Sequence, residues 1–178
     1  MSTPSAADTA PRRPQDPAAA AAWDVAATVC DPEVPVVTIE DLGILRSVSV
    51  TEEGVIVEIT PTYSGCPAMG TIRDDVTQAL EDAGYSQVQV RMVLSPAWTT
   101  DWMSEAGKQK LMEYGISPPS GRAAVGTRPG PTPVKLSVRC PQCGSLETRE
   151  MARFGSTACK ALYVCQECME PFDYFKVL

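Results

Sequence analysis

The sequence predicts a small α/β (α+β) domain with a three-stranded sheet and about three helices, followed by a C-terminal β module built around four cysteines. Helix- and strand-like apolar spacings succeed one another up to residue 116, a Pro- and Gly-rich stretch follows, and two Cys-x-x-Cys pairs lie beyond it. A chain of 178 residues has room for one domain and an appendage. The predicted divisions are a disordered tail (1–17), the domain (18–116), a linker (117–133) and the module (134–178).

The first predicted element is a helix over residues 18–30. Asp16 can cap it, and Pro17 suits its first turn. We expect Cys30, at its end, to point into the core. The following segment, residues 31–35 (Asp-Pro-Glu-Val-Pro), contains two prolines that remove backbone donors. It is therefore predicted as a stiff loop that displays two carboxylates.

The rest of the domain is predicted as a hairpin, a helix, a strand and a helix. Residues 44–50 and 55–59 are β-rich and flank a turn. Apolar residues then recur at helical spacing between Pro67 and Gly84, and Gly84 suits a helix end. The strand over 87–94 is expected to bury one face, formed by Val88, Val90, Met92 and Leu94. A last helix is predicted over 101–114, capped by Thr99 or Thr100.

Composition excludes several functional classes. Lys and Arg number 15 against 22 Asp and Glu, and this net charge of −7 argues against nucleic acid or an anionic membrane as a partner. The absence of histidine excludes Ser-His-Asp and Cys-His triads and every His metal ligand. The longest apolar run, Ala18–Trp23, is far too short to span a membrane. We therefore expect a cytoplasmic protein whose thiols stay reduced.

Two Cys-x-x-Cys pairs, Cys140/Cys143 and Cys165/Cys168, predict one metal site in the C-terminal module. Each pair can form a knuckle, a tight turn that aims two sulfurs at one point. Four thiolates are the ligand set of structural Zn²⁺, although a tetrahedral sulfur site also suits a single iron. A closed site leaves no open coordination position, so its role is predicted to be structural.

Cys66 has a different predicted environment. Pro67 fits a first helical turn, which places Cys66 at the N-cap, where free amides and the helix dipole lower a thiol pKa. The thiol is then either a reactive or metal-touching group, or simply a buried cap. Asp31 and Glu33 also have plain interpretations, an Asx turn at a helix end and a solvated side chain.

The C-terminal module contains a fifth cysteine, Cys159, next to Lys160. It is either a small buried side chain or an exposed thiol that could accept or pass on a metal. The aromatic residues of the module form either its small core or a partner-binding face. They are Phe154, Tyr163, Phe172, Tyr174 and Phe175.

Several motifs together resemble the MIP18 (DUF59) family of iron–sulfur assembly factors. They are Asp31-Pro32-Glu33-Val34-Pro35, residues 39–44, the segment 60–67 that ends in Cys66-Pro67, residues 96–104 and Gly107. The added four-cysteine ribbon, with residues 154–160 and 171–176, is similar to the D-subunit family of the bacterial phenylacetyl-CoA epoxidase system. The resemblance covers residues 18–178.

This resemblance implies a MIP18-like domain followed by a four-cysteine zinc ribbon. The implied function is a non-catalytic accessory or maturation factor for iron or iron–sulfur centres in aerobic phenylacetate degradation. Its implied partners are the di-iron oxygenase and iron–sulfur reductase components of the epoxidase. Cys66 would be the motif thiol, and Asp31 and Glu33 its acidic loop, for transient handling of iron or a cluster.

Other functions stay open at this point. The chain itself cannot form a di-iron carboxylate site of the Glu-x-x-His type, because it has no histidine. A rubredoxin-like electron-transfer component, with iron at the four cysteines, is the main alternative. A nucleic-acid-binding regulator is disfavoured because residues 134–178 hold six basic and five acidic residues, and residues 1–133 nine basic and seventeen acidic.

Overall fold

We describe residues 10–63, 65–120 and 138–177 in a computed structural model of the chain. They form two compact units, one within residues 1–107 and one within 108–178. The helices are α1 (Pro17–Ala26), α2 (Ala68–Asp82) and α3 (Glu105–Glu113), with a short 3₁₀ helix at Thr100–Trp102. The strands are β1 (Cys30–Asp31), β2 (Val34–Thr38), β3 (Leu45–Thr51), β4 (Gly54–Ile59), β5 (Val88–Met92), β6 (Ile116–Ser117), β7 (Thr148–Ala152), β8 (Lys160–Cys165) and β9 (Pro171–Phe175). The mixed α/β prediction is confirmed.

Helix α1 begins as the sequence predicts but is shorter. The carboxylate of Asp16 accepts a hydrogen bond from the amide of Ala19 at 2.8 Å, and Pro17 occupies the first turn. The helix ends at Ala26 rather than near Cys30, because the chain turns into a small antiparallel pair, β1–β2. Part of the predicted tail is placed as well, since Arg13 pairs with Asp24 at 2.6 Å. Residues 1–9 lie outside the described residues.

The main sheet of the first unit has the strand order β3-β4-β5. β3 and β4 form the predicted antiparallel hairpin, and β4 and β5 run parallel, joined through α2. α1 packs on β3, α2 packs on β5, and the two helices touch each other, so both cover the same face. The buried core lies between them and the sheet. It includes Val48, Val57, Ile59, Ile72, Val76 and Leu80.

The predicted buried face of β5 is only partly buried. Val88 and Val90 are half-buried, whereas Met92 is 55% exposed and Leu94 is 66% exposed. β5 is the last strand of its sheet, so β4 shields it on one side only. The apolar alternation therefore continues past the part of the strand that the helices cover.

The segment 95–107 closes against the turn after β2. The indole nitrogen of Trp98 donates to the carbonyl of Leu42 at 2.9 Å, and the Ser104 hydroxyl donates to Asp41 at 2.9 Å. The predicted helix over 101–114 is interrupted. The 3₁₀ turn ends at Trp102, and Ser104 then accepts a hydrogen bond from the amide of Gly107 and so caps α3.

The second unit is built on a sheet of order β6-β9-β8-β7. β6, which was predicted to end the domain and begin the linker, pairs in parallel with β9. Phe172, Tyr174 and Phe175 are buried and Tyr163 is half-buried, its ring 5.4 Å from that of Tyr174. Phe154 differs from the predicted core, being 69% exposed. The described residues contain no helix long and apolar enough to span a bilayer.

Candidate functional sites

The two knuckles bring four sulfurs together. The Sγ atoms of Cys140, Cys143, Cys165 and Cys168 all lie within 4.8 Å of one another. Cys143 and Cys165, from different knuckles, are 3.5 Å apart, and Cys140 and Cys168 are 3.7 Å apart. A tetrahedral site with Zn–S bonds of about 2.3 Å requires sulfur–sulfur distances of about 3.8 Å, whereas a disulfide requires about 2.05 Å. The donor set therefore fits a tetrahedral metal ion.

Backbone hydrogen bonds shape each knuckle. In the first, the amide of Gly144 donates to the carbonyl of Cys140 at 3.0 Å, and Gly144 has φ +78°. In the second, the amide of Cys165 donates to the carbonyl of Glu170 at 3.0 Å. Further amides point at the sulfurs: that of Ser145 donates to Cys143, and that of Glu170 to Cys168. Such donors stabilise thiolate charge.

The thiols interact strongly with one another in the absence of a cation. The amides of Cys168 and Glu167 donate to Cys165 and hold its pKa at about 7. The amide of Glu170 acts to lower the pKa of Cys168, but desolvation and the three neighbouring sulfurs outweigh it and raise that pKa to about 12. The four groups cannot all ionise without a neutralising charge, which a divalent metal supplies.

The environment of Cys66 differs from the prediction. Pro67, not Cys66, is the N-cap of α2, and the amide of Cys66 donates to the carbonyl of Tyr63 at 3.3 Å across a tight turn in which Gly65 has φ +85°. Partial burial raises the pKa of the half-buried thiol above its usual range. An amide donor from Ala68 acts in the opposite direction but does not prevail. The expected low-pKa thiolate is therefore incorrect.

The same thiol lies near both carboxylates of the predicted acidic loop. Glu33 and Asp31 each raise the pKa of Cys66 through their negative charge. The loop is in fact a tight hairpin, because Asp31 pairs with Val34. One carboxylate oxygen of the buried Asp31 accepts from the amides of Glu33 at 2.7 Å and Val34 at 3.1 Å. Asp31 thus forms an Asx turn, and its turn directs Glu33 toward the thiol's surroundings.

Comparison with known proteins gives two matches along the chain. Residues 19–92 match the family described as "Iron-sulfur cluster assembly protein", and residues 127–176 match the "PaaD zinc beta ribbon domain". The chain is 47% identical over 156 residues to a protein of Escherichia coli (strain K12) named as the D component of a "Putative 1,2-phenylacetyl-CoA epoxidase", covering 88% of this chain and 91% of that protein. The chain belongs to the phenylacetyl-CoA epoxidase D-subunit family.

Two further relatives of this D-subunit family member match the first unit. An "Fe-S protein maturation auxiliary factor" of Porphyromonas gingivalis is 38% identical over 91 residues, which is 50% of this chain and 83% of that protein. The crystal structure of a DUF59 domain from Bacillus anthracis aligns with a TM-score of 0.49 and 29% identity, covering 52% of this chain and 90% of that domain.

The remaining cysteines of the D-subunit chain are placed differently from expectation. Cys30 is exposed rather than in the core, because β1 lies at the surface of its hairpin. Cys159 is buried and 3.0 Å from the Thr157 hydroxyl, so it is not the exposed thiol of the functional alternative. Its neighbour Lys160 is buried as well, with its ammonium 3.6 Å from the Asp173 carboxylate.

Sequence reasoning missed Tyr63 and Asp41. The side chain of Tyr63 forms a hydrogen bond with Cys66, and a signal was available in the turn residue Gly65 between them. Asp41 is buried and receives the amide of Thr38 at 3.2 Å as well as the Ser104 hydroxyl. It joins the β2 turn to the start of α3, and so supports the hairpin that contains Asp31.

Proposed function

We propose that this D-subunit family member is a non-catalytic accessory factor that delivers iron, or an iron–sulfur cluster, to the metal-bearing components of a phenylacetyl-CoA epoxidase. The observation that favours this role is the position of Cys66, a half-buried thiol whose pKa is raised by both Asp31 and Glu33. A soft sulfur beside two hard oxygen donors suits ferrous iron, which accepts both kinds of ligand. The names of the relatives support the same direction.

In this proposal Cys66 and the acidic hairpin hold the cargo only transiently. The thiol is protonated at neutral pH, since its pKa lies above the usual range. When ferrous iron binds, the sulfur–iron bond replaces the S–H bond and the proton passes to water. Because that proton competes with iron, the site binds weakly enough to release its cargo. Asp31, fixed by its Asx turn, and Glu33 offset the charge of the arriving cation.

The ribbon has a separate role. Cys140, Cys143, Cys165 and Cys168 would hold one Zn²⁺, which when bound supplies a fixed crosslink and no reactive coordination position. Only a small core surrounds the sulfurs, formed by Val138, Ala161, Phe172 and Tyr174. A module of this size needs such a crosslink to stay folded. We propose that the folded ribbon docks the oxygenase or reductase component.

A cysteine comparison tests the proposed function. The epoxidase components are co-produced with wild-type protein, with Cys66→Ser, or with Cys30→Ser, and the iron content and epoxidation rate of the purified oxygenase are measured. Cys66→Ser is expected to lower both severalfold, because the thiol contacts the cargo. Cys30 is an exposed thiol in the same unit, so its replacement controls for loss of any cysteine. Full iron content with Cys66→Ser would refute the proposal.

A further inference from the structure

The apolar face of β5 continues beyond the residues that the protein itself covers. Its inward positions pair with buried residues of β4: Val90 with Val57, and Met92 with Ile59. Burial nevertheless ends after Val90, because Met92 is 55% and Leu94 66% exposed. Val93 still donates to the carbonyl of Ile59 at 2.8 Å, so the chain remains alongside β4 at this point. Two large apolar side chains, with a single residue between them, thus extend a core face into solvent.

This exposed pair lies at the same end of the sheet as Cys66. β4 and β5 are parallel, with Ile59 in register with Met92. The chain leaves β4 at Ile59, passes through Cys66 and enters α2 at Ala68, so the start of α2 lies at the end of the sheet where β5 finishes. The carboxyl ends of adjacent parallel strands are where α/β folds commonly place their binding sites.

The charge near this end is negative. Asp31 and Glu33 both act on Cys66, and residues 1–133 hold seventeen acidic against nine basic residues. A partner that covers Met92 and Leu94 while facing these carboxylates needs an apolar centre with a basic rim. The same negative charge disfavours an anionic membrane or nucleic acid as the occupant.

We infer that Met92 and Leu94 form a docking surface on which a client protein places an apolar patch rimmed by Lys or Arg, next to Cys66. The inference rests on the proposed function, because it identifies how the client reaches the thiol. Docking there would bury the two side chains that the sequence pattern assigns to a core. It would also bring the client's acceptor site to the end of the sheet where the cargo is held.

Substitutions of matched exposure test the surface. The probes are the purified oxygenase and reductase components of the epoxidase, and their dissociation constants for the full chain are measured for Met92→Lys, Met92→Glu and Leu94→Lys. Both Lys variants are expected to weaken binding by at least about tenfold, as loss of a central contact does. Met92→Glu should weaken it less, because the rim of the partner is basic. Met151, also 55% exposed but in the ribbon, gives the control Met151→Lys, which should bind as wild type.

Several results would overturn the inference. These are wild-type affinity of both Lys variants, an equal loss in Met151→Lys, a greater loss for Met92→Glu than for Met92→Lys, or no binding of either probe by the wild type. A wild-type dimer that Met92→Lys dissociates would assign the surface to a second copy instead. Cys66→Ser separates this inference from the proposed function: normal iron delivery by that variant refutes the iron role alone, and leaves the docking result to be judged by the binding data.

Discussion

Gly144 and Met169 occupy the same position in the two knuckles, directly after the second cysteine of each pair, and both have left-handed backbone angles, φ +78° and φ +64°. Glycine adopts this conformation without steric cost, whereas a side chain with a Cβ atom does not. The second knuckle is therefore strained at a residue that is 70% exposed and has little packing to lose.

Met169→Gly is expected to stabilise the ribbon. Relief of left-handed strain, less the added entropy of an unfolded glycine, should raise the free energy of unfolding by about 0.5–1 kcal/mol. Gly144→Ala, the reciprocal change, should lower it by about 1–2 kcal/mol. Denaturant unfolding of the metal-loaded proteins measures both values. An unchanged or lower stability for Met169→Gly would contradict the prediction.

Metal loading of the ribbon is expected to depend steeply on pH. The pKa of Cys168 is raised to about 12 and that of Cys143 is also raised, so at least these two thiols are protonated near pH 7. Each must lose its proton to bind metal, so the apparent affinity should rise by about 100-fold per pH unit around neutrality. Competition with a chelator at two pH values measures it. A pH-independent affinity would show that the thiols are already ionised.

Metal content distinguishes the zinc ribbon from the electron-transfer alternative. One zinc per chain and a colourless protein are expected, with loss of the metal in Cys140→Ser. Because zinc binding contributes about 10–16 kcal/mol in modules of this kind, the same variant should unfold the ribbon. Elemental analysis and visible absorption measure the outcome. A red protein that contains iron would favour electron transfer.

Cys66 is expected to react slowly with alkylating agents at neutral pH. Its pKa is raised, so the thiolate fraction is below that of a free cysteine, and the rate should climb only as the pH becomes alkaline. Glu33→Gln removes one negative charge and should shift this rate profile to lower pH, severalfold faster near pH 8. Peptide mass spectrometry resolves Cys66 from Cys30, the exposed control. An identical profile in Glu33→Gln would place Glu33 too far away to act.

Two helical glycines should respond oppositely to alanine. A Cβ atom at Gly107 would lie 2.9 Å from the Cβ of Asp41 and 3.0 Å from its carbonyl oxygen, whereas one at Gly70 would meet nothing within 4 Å. Gly107→Ala should therefore destabilise the protein by about 1–3 kcal/mol. Gly70→Ala, in α2, should stabilise it by about 0.5–1 kcal/mol. Thermal unfolding compares them, and a tolerated Gly107→Ala would mean that the β2 turn can move.

Local patterns in the sequence predicted most of what is close along the chain. The cap at Asp16, the hairpin of β3 and β4 and the two knuckles all depend on neighbouring residues, and the structure has them. The sequence failed where distant packing decides. It could not reveal that Met92 lies beyond the cover of the helices, nor that desolvation and two carboxylates outweigh the amide donor at Cys66. Both failures concern burial, which no local pattern measures.

The parallel pairing of β6 with β9 affects how the zinc ribbon can be isolated. Ile116 and Ser117 precede the Pro-rich stretch, so a fragment cut at residue 134 would lack its outermost strand. The backbone edge of β9 would then lie open and could recruit a strand from another molecule. An excised ribbon that aggregates would thus reveal a wrongly chosen cleavage point, whereas a fragment that begins before Ile116 keeps that edge paired.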